Sequence, residues 1–472
     1  MLRRTKIVAT IGPASSSPPV LRQLIASGLN VARVTLAHGS LDSQKALVHT
    51  IRREADAMGT PVGILIDLPG PKVRTAPFQG TVVLESGRPI TLMAGEIGPS
   101  TAARLYVDYP SLVEDLVAGD LVAIGDGAVT IRIDGKSSHE LQGTVVHGGQ
   151  LTGRKGVKIP TERFHTQVPT DEDRALVAAF SDCPVDVIAI SFVRTAADVE
   201  AVREATGRDG PWLMAKIETA MAVEHLTSIV RAADAVMVAR GDLGTELPIE
   251  EVPHLQKHII RETVRNGKPV LVATQMLESM ISAPSPTRAE ATDVANAVLD
   301  QASAVMLSAE TAIGHDPVLV VQTMDRMVRR AEAALDPARL QTFALENRDL
   351  SEINVATAHA AWQAAQDLSA SAILCCTRTG ATARKMSSFR PLQPFYGLTG
   401  DERALHQMAL CWGVHPLLMS RTGTSTEQVM DDAVASARAA GAVRRGDVVV
   451  ILAGSPQAGP GHTDSVRVTV VE

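Results

Sequence analysis

The sequence predicts an α/β protein whose largest part is a closed (β/α)8 TIM barrel. Eight short, apolar, β-branched segments recur along the 472-residue chain, helix-like stretches separate them, and polar residues collect where these segments end. Continuous apolar strands that alternate with helices indicate a parallel sheet buried on both faces, and eight such units favour closure into a barrel. An open, doubly wound sheet is the competing architecture.

The eight predicted strands fall into two groups separated by a gap. The first three segments are TKIVATI from Thr5, NVARVTL from Asn30 and VGILIDL from Val62. The remaining five are DVIAISF from Asp186, WLMAKIE from Trp212, AVMVAR from Ala235, PVLVAT from Pro269 and AVMLSA from Ala304. We therefore expect residues 1–70 and 170–344 to form one barrel.

The gap and the C-terminal part differ from the barrel segments in their sequence pattern. Within residues 71–169, short segments such as TVVLE, DLVAI and VTIRI are broken by glycine and aspartate turns, which predicts a small β-barrel domain inserted after the third strand as a lid. Within residues 345–472, a helix near residues 354–368 precedes SAILCC, PFYGLT, HPLLM, DVVVILAG and VRVTVV. This pattern predicts a separate C-terminal α/β domain.

Composition excludes several classes of partner. The net charge is −7 with 3% aromatic residues and no run of like charges, so nucleic acid is not expected as a partner. No apolar run approaches the ~18 residues that a membrane helix needs, and no signal peptide is indicated. The four cysteines lie in or beside apolar segments without a metal or disulfide spacing, which predicts buried thiols. A cytoplasmic protein is the expectation.

Polar side chains at the predicted strand ends indicate where chemistry takes place. In AKIETA, Lys216 and Glu218 are two residues apart, so a strand points both side chains into the barrel mouth. In MVARGDLG, Asp242 follows the next strand. Two carboxylates at one rim suit Mg²⁺, which keeps positions for water and substrate oxygens. The alternatives are a solvated Lys–Glu pair and an Asp242 that only caps a helix.

Further candidates lie at the same predicted rim. Backbone N–H groups at Gly241 and Asp242 can hold a substrate carboxylate, and the hydroxyl of Thr274 can relay a proton or cap a helix. In VARVTLAHG, Arg33 lies near a strand and His38 precedes a glycine; the alternatives to a functional role are a solvated arginine and a capping histidine. For Arg288, Glu290 and Asp293 the simpler prediction is an ion network that orients neighbouring groups. A divalent metal, a lysine and arginines are what phosphoryl transfer requires, although no GxxxxGK[ST] loop is present.

Several ordered motifs make the chain resemble the pyruvate kinase family over essentially its whole length. They are TKIVATIGPAS, VARVTLAHG, DLPGPKVR, AKIETA, MVARGDLG, ATQMLESM, PTRAEATDVANAV, MLSAETAIG and the C-terminal GDVVVILAGSPQAGPGHTDSVRVTVVE. The resemblance implies Mg²⁺-dependent (or Mn²⁺-dependent) phosphoryl transfer from phosphoenolpyruvate to ADP, giving pyruvate and ATP, as in the last step of glycolysis. It also implies a homotetramer.

The resemblance implies a role for each matched residue. By this resemblance, Lys216 would stabilise the moving phosphoryl group and Arg33 would contact phosphate. Glu218 and Asp242 would bind the metal. Gly241, Asp242 and Thr274 would bind the substrate carboxylate, with Thr274 near the proton relay. The nucleotide side would be formed by His38, Arg74 and Lys155, the last of these in the inserted domain. An effector loop for a sugar phosphate or AMP would contain Thr377, Thr379, Gly380 and Thr382.

The matched motifs depart from the family at a monovalent-cation site. Family members that bind K⁺ usually carry Asn and Ser where this chain has Thr35 and Ala37, together with an aspartate matching Asp67. Many also have Glu where this chain has Lys72, and the pairing of Lys72 with Leu68 resembles members that need no K⁺. We therefore expect the Lys72 ammonium, paired with Asp67, to replace K⁺.

Two other classes of protein remain open from the sequence. A carbon–carbon lyase that forms a Mg²⁺-enolate on the same barrel also needs a rim Glu and Asp, but it has no use for a nucleotide lid. A non-catalytic relative that binds effectors would not need Lys216, Glu218, Asp242 and Thr274 together. ADP-dependent release of pyruvate from phosphoenolpyruvate distinguishes these possibilities.

Overall fold

The computed structural model describes residues 2–71, 73–95, 98–125, 127–160, 163, 166–346, 348–420, 425–455 and 462–472. Strands and helices alternate from the start of the chain. The first five elements are β1 (Lys6–Thr10), α1 (Pro18–Ala26), β2 (Val31–Thr35), α2 (Leu41–Ala57) and β3 (Gly63–Asp67). Helix α2 begins at a reciprocal capping box between Ser40 and Ser43, which satisfies two backbone donors at its N-terminus.

After β3 the chain forms a separate β structure, which we call the inserted β-segment (β4 to β11). Its elements are β4 (Phe78–Leu84), β5 (Pro89–Ala94), β6 (Arg104–Val107), α3 (Leu112–Asp115), β7 (Leu121–Ile124), β8 (Val129–Lys136), β9 (Glu140–His147), β10 (Gly149–Gly153) and β11 (Val157–Lys158). One sheet has the order β11-β7-β8-β9-β5-β6, and β10 pairs with β4. The segment has its own apolar core, because alternate residues of these strands point inward.

The strand–helix alternation then resumes. The elements are α4 (Asp171–Ala179), β12 (Val187–Ile190), α5 (Ala196–Thr206), β13 (Trp212–Ile217), α6 (Ala220–Glu224), α7 (Leu226–Ala232), β14 (Ala235–Ala239), α8 (Arg240–Glu246), α9 (Val252–Arg265), β15 (Val270–Ala273), α10 (Arg288–Leu299), β16 (Ala304–Leu307), α11 (Ala309–Ala312) and α12 (Pro317–Glu332).

Eight parallel strands close into a barrel, which confirms the predicted fold class and rules out the open sheet. The strand order is β1-β16-β15-β14-β13-β12-β3-β2, with β1 pairing to both β16 and β2. Each strand is buried on both faces because helices cover the outside while side chains fill the inside. In β1, for example, Ile7 and Ala9 pack outward and Val8 packs inward.

A C-terminal α/β unit follows the barrel. Its elements are α13 (Pro337–Leu345), α14 (Ile353–Asp367), β17 (Ala372–Cys376), α15 (Ala381–Ser388), β18 (Phe395–Thr399), α16 (Glu402–Gln407), β19 (Val414–Leu418), α17 (Thr426–Ala439), β20 (Val448–Ala453) and β21 (Ser465–Val470). The sheet order is β19-β18-β17-β20-β21, and β21 pairs antiparallel to β20. All four cysteines are free and buried, as predicted. Within the described residues, no helix combines the length and the hydropathy that crossing a bilayer requires.

The inside of the barrel continues into the core of the C-terminal unit. Val8 and Met306 from barrel strands belong to the same buried apolar cluster as Phe395 and Trp412. The barrel end opposite the strand C-termini is therefore closed by the C-terminal unit. The barrel mouth, where β3, β13 and β14 end, remains as the face on which polar side chains gather.

Lys6 is a buried charge-bearing group at this junction. Its ammonium donates to the carbonyl oxygen of Val414 at 2.6 Å, across from the barrel to β19. Burial, together with the nearby Arg3 guanidinium, lowers the pKa of Lys6 to about 7, while Cys411 and Glu332 oppose the shift. Lys6 therefore loses its proton in the folded protein near neutral pH.

Lys6→Met is expected to remove part of the pH dependence of stability. Because the folded pKa lies below the unfolded value, the unfolded chain binds more protons between pH 7 and pH 10.5, so the Lys6 contribution stabilises the fold as pH rises through that window. Lys6 contributes at most about 1.4 kcal/mol per pH unit to the slope of the unfolding free energy against pH. Urea unfolding of both proteins from pH 6 to pH 10 measures it. Parallel stability curves would contradict the assignment to Lys6.

Candidate functional site

Strand β13 carries two charged side chains to the barrel mouth. Lys216 lies near its end and Glu218 follows directly, so the strand period places both side chains on the inner side. The Lys216 ammonium lies 3.3 Å from Glu218 Oε2; the Glu218 side chain is buried, and only 12% of the Lys216 side chain is exposed. A solvated salt bridge, the alternative from the sequence, is therefore excluded.

The Lys216 ammonium is also held by groups from two other strands. It donates to the Ser191 hydroxyl at 2.7 Å, just after β12, and it lies 3.5 Å from Asp67 Oδ1 at the end of β3. Burial alone would lower the Lys216 pKa, but the carboxylates of Asp67, Glu218 and Asp242 outweigh burial and raise it above its ordinary value. A permanent cation is thus fixed at the mouth.

Asp67 lies between two cationic side chains, Arg33 and Lys216. Arg33, in β2, approaches one carboxylate oxygen of Asp67 with two nitrogens, Nε at 2.8 Å and Nη2 at 2.7 Å, while its Nη1 donates to Thr10 Oγ1 at 2.8 Å. Burial would raise the Asp67 pKa, yet Lys216 and Arg33 together hold it below the usual value. Lys72, the predicted partner of Asp67, lies outside the described residues.

One oxygen of Glu218 lies beside the Lys216 ammonium but accepts no hydrogen bond from the described residues. Its Oε1 accepts the backbone N–H of Phe192 at 2.7 Å, whereas the buried Oε2 accepts no hydrogen bond from the described residues. Burial raises the pKa of Glu218 to about 7; Lys216 opposes this shift and Asp242 adds to it. An unsatisfied buried carboxylate oxygen beside a second carboxylate suits a hard divalent cation.

The residues present fit Mg²⁺ with a partly open coordination shell. In the described part of the chain, no group of three or more His, Cys, Asp or Glu side chains is arranged to hold a metal. Glu218 and Asp242 remain the candidate protein ligands, because the third carboxylate at the mouth, Asp67, is paired with Arg33 and Lys216. Water and substrate oxygens would supply the remaining positions, which is how Mg²⁺ is usually bound at phosphate-transfer sites.

Asp242 lies in the first turn of α8 and has a partner that the sequence did not indicate. Its Oδ1 lies 2.5 Å from the ammonium of Lys158, which also donates to Thr245 Oγ1 at 2.8 Å. Lys158 belongs to β11 of the inserted β-segment. The one available signal is alternation: Val157 is buried in the core of the segment, so Lys158 points away from that core.

Thr274 is held in an unusual backbone conformation beside Gly241. Its φ of 68° is left-handed, which costs a β-branched residue of order 1–3 kcal/mol. Arg240 stabilises this turn by donating to the Thr274 carbonyl oxygen at 2.6 Å while pairing with Asp293 at 2.6 Å. The Gly241 N–H donates to Thr274 Oγ1 at 2.8 Å, so in this structure it is already engaged. Glu290, predicted with Asp293 in an ion network, instead caps α10.

Two of the predicted nucleotide-binding residues are neighbours. Arg74 forms an antiparallel bridge with Gly156, and the Thr75 N–H donates to the carbonyl oxygen of Lys155 at 2.8 Å, so Arg74 and Lys155 lie on adjacent chain segments. His38 is exposed on the loop between β2 and α2. Among the described residues, no hydrogen bond or ion pair joins its side chain to Arg74 or Lys155.

The predicted effector loop lies between β17 and α15. Thr377 and Thr382 are buried, and the Thr382 hydroxyl is 2.7 Å from that of Thr463. Gly380 has a φ of 80°, and a Cβ there would lie 3.3 Å from the Trp212 ring, so the loop needs glycine at this position. Thr379 is half-buried. Residues 456–461, which follow β20, lie outside the described residues.

Comparison with known proteins gives consistent matches along the chain. Residues 2–321 match the family model "Pyruvate kinase, barrel domain", and residues 355–469 match "Pyruvate kinase, alpha/beta domain". The chain is 40% identical to "Pyruvate kinase 2" of Synechocystis over 479 residues, covering 100% of this chain and 80% of the relative. It is 38% identical to the pyruvate kinase of Geobacillus stearothermophilus, covering 100% and 81%. It is 34% identical to that of Clostridium acetobutylicum over the full length of both chains.

Proposed function

Because this chain belongs to the pyruvate kinase family, and is therefore a transferase of the kinase type, we propose that it transfers the phosphoryl group of phosphoenolpyruvate to ADP with the help of Mg²⁺. The products are pyruvate and ATP, as in the last step of glycolysis. The observation that carries the proposal is the buried Lys216 ammonium, fixed by Ser191, Asp67 and Glu218 at the barrel mouth.

Lys216 and Arg33 supply positive charge to the phosphoryl group. As the bond between phosphorus and the enolate oxygen breaks and a bond to a β-phosphate oxygen of ADP forms, negative charge spreads over the phosphoryl oxygens. Lys216 is preorganised to stabilise this charge because its ammonium is already held and need not reorganise. Arg33 lies on β2, next to the strand that carries its partner Asp67, and would contact the phosphate from there.

Glu218 and Asp242 would hold the divalent cation through their carboxylates. Mg²⁺, or Mn²⁺ in its place, neutralises phosphate and enolate oxygens when it is bound. Glu218 is oriented for this task because its other oxygen is fixed by the Phe192 N–H.

Thr274 and Gly241 position the carboxylate end of the substrate. The Thr274 hydroxyl is located by the Gly241 N–H and donates to the carbonyl oxygen of Ala273 at 2.7 Å. When a substrate carboxylate binds, it accepts hydrogen bonds from the Gly241 and Asp242 N–H groups. The Thr274 hydroxyl then loses its hydrogen bond from the Gly241 N–H. Thr274 then belongs to the relay that delivers a proton to the enolate carbon.

The inserted β-segment closes over the nucleotide. Arg74, Lys155 and His38 contact the phosphates of ADP, and closure excludes the water that would otherwise hydrolyse the transferred group. In this proposal residues 71–169 form the lid domain, residues 1–70 and 170–344 the barrel domain, and residues 345–472 a domain for effectors and assembly.

The direct test is a coupled assay for pyruvate with phosphoenolpyruvate, ADP and Mg²⁺. Pyruvate release that depends on ADP is the expected result. Release of pyruvate without ADP, or no release at all from the folded protein, would overturn the proposal. The relatives' names favour the kinase over the carbon–carbon lyase and over a non-catalytic protein.

Activity is expected to need no K⁺. Lys72 carries a permanent charge near Asp67 in sequence, and Thr35 and Ala37 offer fewer oxygens than the Asn and Ser of K⁺-binding members. Lys72→Glu should create a dependence on K⁺. This dependence should become complete when Thr35→Asn and Ala37→Ser are added, because they restore the oxygen ligands. One charge interaction at ~4 Å is worth on the order of 4 kcal/mol at an effective dielectric near 20, before desolvation. Kinetics in Na⁺ and K⁺ buffers at matched ionic strength measure it. Strong K⁺ activation of the unmodified protein would contradict this expectation.

The C-terminal unit would bind an effector and join subunits. Thr377, Thr379 and Gly380 precede α15 and Thr382 lies in its first turn, where N–H groups favour an anion such as a sugar phosphate or AMP. Unchanged kinetics and melting temperature with both ligands would argue against it. Strand β21 forms a sheet edge with exposed valines, which supports pairing with another copy in a homotetramer. A monomer in light scattering would exclude that assembly.

A further inference from the structure

The inserted β-segment is joined to the barrel by two chain crossings that lie side by side. The outgoing crossing, residues 68–71, follows β3, and the return crossing, residues 166–170, leads into α4. Asp173, in the first turn of α4, contacts both of them. Its Oδ1 accepts the Gly70 N–H at 3.1 Å, and its Oδ2 accepts the Thr170 N–H at 2.9 Å and the Thr170 hydroxyl at 2.8 Å. One buried side chain thus ties the two crossings together.

Capping of α4 explains only part of this arrangement. The capping box between Thr170 and Asp173 uses the Thr170 hydroxyl and Asp173 Oδ2. Asp198 has the same place in α5, where its Oδ2 accepts the N–H of Thr195 and the N–H before it, three and four positions away. The bond from the Gly70 N–H to Asp173 Oδ1 spans 103 positions and contributes nothing to the cap. A second role for Asp173 is therefore open.

The outgoing crossing packs tightly against the barrel. Gly70 is buried with a φ of 63°, and a Cβ on it would lie 2.8 Å from the Phe192 ring and 2.9 Å from Ser191 Cβ. Ser191 also donates to a carbonyl oxygen of this crossing at 2.6 Å. The same two residues orient Lys216 and Glu218 at the barrel mouth. The point about which the segment pivots is therefore fixed relative to the charged groups of the site.

Two crossings that are tied together restrict movement more than two separate linkers do. Separate linkers let a segment twist and slide as well as swing, and each free residue must be ordered again whenever the segment settles on the barrel. A shared carboxylate removes this freedom in advance, because neither crossing can move alone without breaking a buried hydrogen bond to a charged acceptor. Movement of the inserted β-segment is then restricted to rotation about Asp173.

We propose that Asp173 is a hinge clamp, which joins the outgoing and return crossings into one pivot, so that the inserted β-segment closes over the barrel mouth along a single path. Asp173 is thus a positioning residue for Arg74 and Lys155, which the segment carries. The roles of Arg74 and Lys155 rest on the proposed function. The clamp itself does not, and its first two tests use neither phosphoenolpyruvate nor ADP.

Asp173→Asn separates the clamp from the helix cap. Asparagine has the same shape, but only one of its two terminal side-chain atoms accepts hydrogen bonds. When that oxygen faces Thr170 it keeps both bonds of the cap, and the amide NH₂ then faces the Gly70 N–H, which is also a donor. Asp401→Asn is the matched control, because Asp401 caps α16 in the C-terminal unit by accepting the Ala404 N–H at 2.7 Å.

The first measurement is amide hydrogen exchange, resolved to single residues by mass spectrometry. In the unmodified protein the N–H groups of Gly70 and Thr170 should both exchange slowly. In Asp173→Asn the Gly70 N–H should exchange at least about 10-fold faster, as loss of a hydrogen bond to a charged acceptor implies, while Thr170 keeps its protection. Fast exchange at Gly70 in the unmodified protein would overturn the clamp without the need for any variant.

The second measurement is the distance between two spin labels, at Ser138→Cys in the inserted β-segment and at Ser228→Cys in α7. Both positions are exposed, and the native cysteines are buried, so labelling is selective. Asp173→Asn should give a broader distance distribution than the unmodified protein and Asp401→Asn, because its two crossings move separately. Equal widths in all three proteins would mean that Asp173 only caps α4.

The third measurement connects the clamp to the reaction. Asp173→Asn is expected to raise the KM for ADP about 5- to 30-fold, which corresponds to ordering one freed residue at each closure. Binding of phosphoenolpyruvate without ADP should stay close to that of the unmodified protein, because the barrel groups are unchanged. An unaltered KM for ADP beside a broader distance distribution would overturn the positioning of Arg74 and Lys155.

Failure of the clamp and failure of the proposed function give different results. A chain that releases no pyruvate, but in which Asp173→Asn speeds exchange at Gly70 and broadens the distances, keeps the clamp and loses the proposed function. ADP-dependent release of pyruvate together with unaltered exchange and distances in Asp173→Asn overturns the clamp alone.

Discussion

Replacing Lys216 with methionine is expected to reduce phosphoryl transfer by ~10² to 10³ or more, the usual cost of losing a preorganised group that stabilises transition-state charge. Methionine fills a similar volume, so the loss reflects the missing cation. Both Asp67 and Glu218 lose the Lys216 ammonium in the variant, but Asp67 keeps Arg33 as a cationic partner. The loss should therefore fall on kcat more than on the fold, which steady-state kinetics and circular dichroism measure together.

The control for this variant is Lys45→Met. Lys45 forms an ion pair with Asp182 at 3.2 Å on the outside of the barrel, so its removal tests the effect of one lost positive charge far from the mouth. Near-normal turnover is expected there. Near-normal turnover in Lys216→Met would remove Lys216 from the mechanism.

Glu218→Gln is expected to weaken divalent-cation binding by roughly 100-fold or more, since loss of even an outer partner of a metal ligand costs 10- to 100-fold. Glutamine has the same shape and can still accept the Phe192 N–H, but its amide has no charge to balance a cation. The change also leaves Lys216 with one carboxylate neighbour fewer. Mn²⁺ titration without substrates measures the affinity directly, and the Mg²⁺ dependence of kcat/KM measures its effect on turnover.

Glu250→Gln is the matched control for the metal prediction. Glu250 is exposed in the 3₁₀ turn before α9. Its replacement therefore removes the same charge from the surface of the barrel and leaves the site unchanged. Mn²⁺ affinity should stay close to that of the unmodified protein. Equal affinities in Glu218→Gln and Glu250→Gln would mean that Glu218 is not a ligand.

The sequence predicted the barrel and the charged pair at its mouth because both depend on local patterns. Strand alternation places Lys216 and Glu218 on one side, and the carboxyl ends of parallel strands bring Asp67 and Asp242 to the same rim. The partner of Arg33 follows from topology as well, since β2 and β3 are neighbours and Thr35 lies opposite Asp67.

Other contacts could not be read from local patterns. Lys158 and Asp242 are 84 positions apart and meet only because the inserted β-segment folds back on the barrel. Ser191 ends a strand like many serines, and nothing in DVIAISF indicates that its hydroxyl fixes Lys216. The left-handed turn at Thr274 is equally hidden, because it depends on Arg240 reaching across from α8.

The shared core between the barrel and the C-terminal unit limits how the two parts can change over evolution. Trp412 and Phe395 pack in one cluster with Val8 and Met306, so a volume change in the C-terminal unit is transmitted to side chains inside the barrel. The C-terminal unit is thus not a module that can be exchanged between relatives while the barrel stays the same. Its ligand-binding loops are free to diversify, whereas the residues that close the barrel must change in step with the barrel strands.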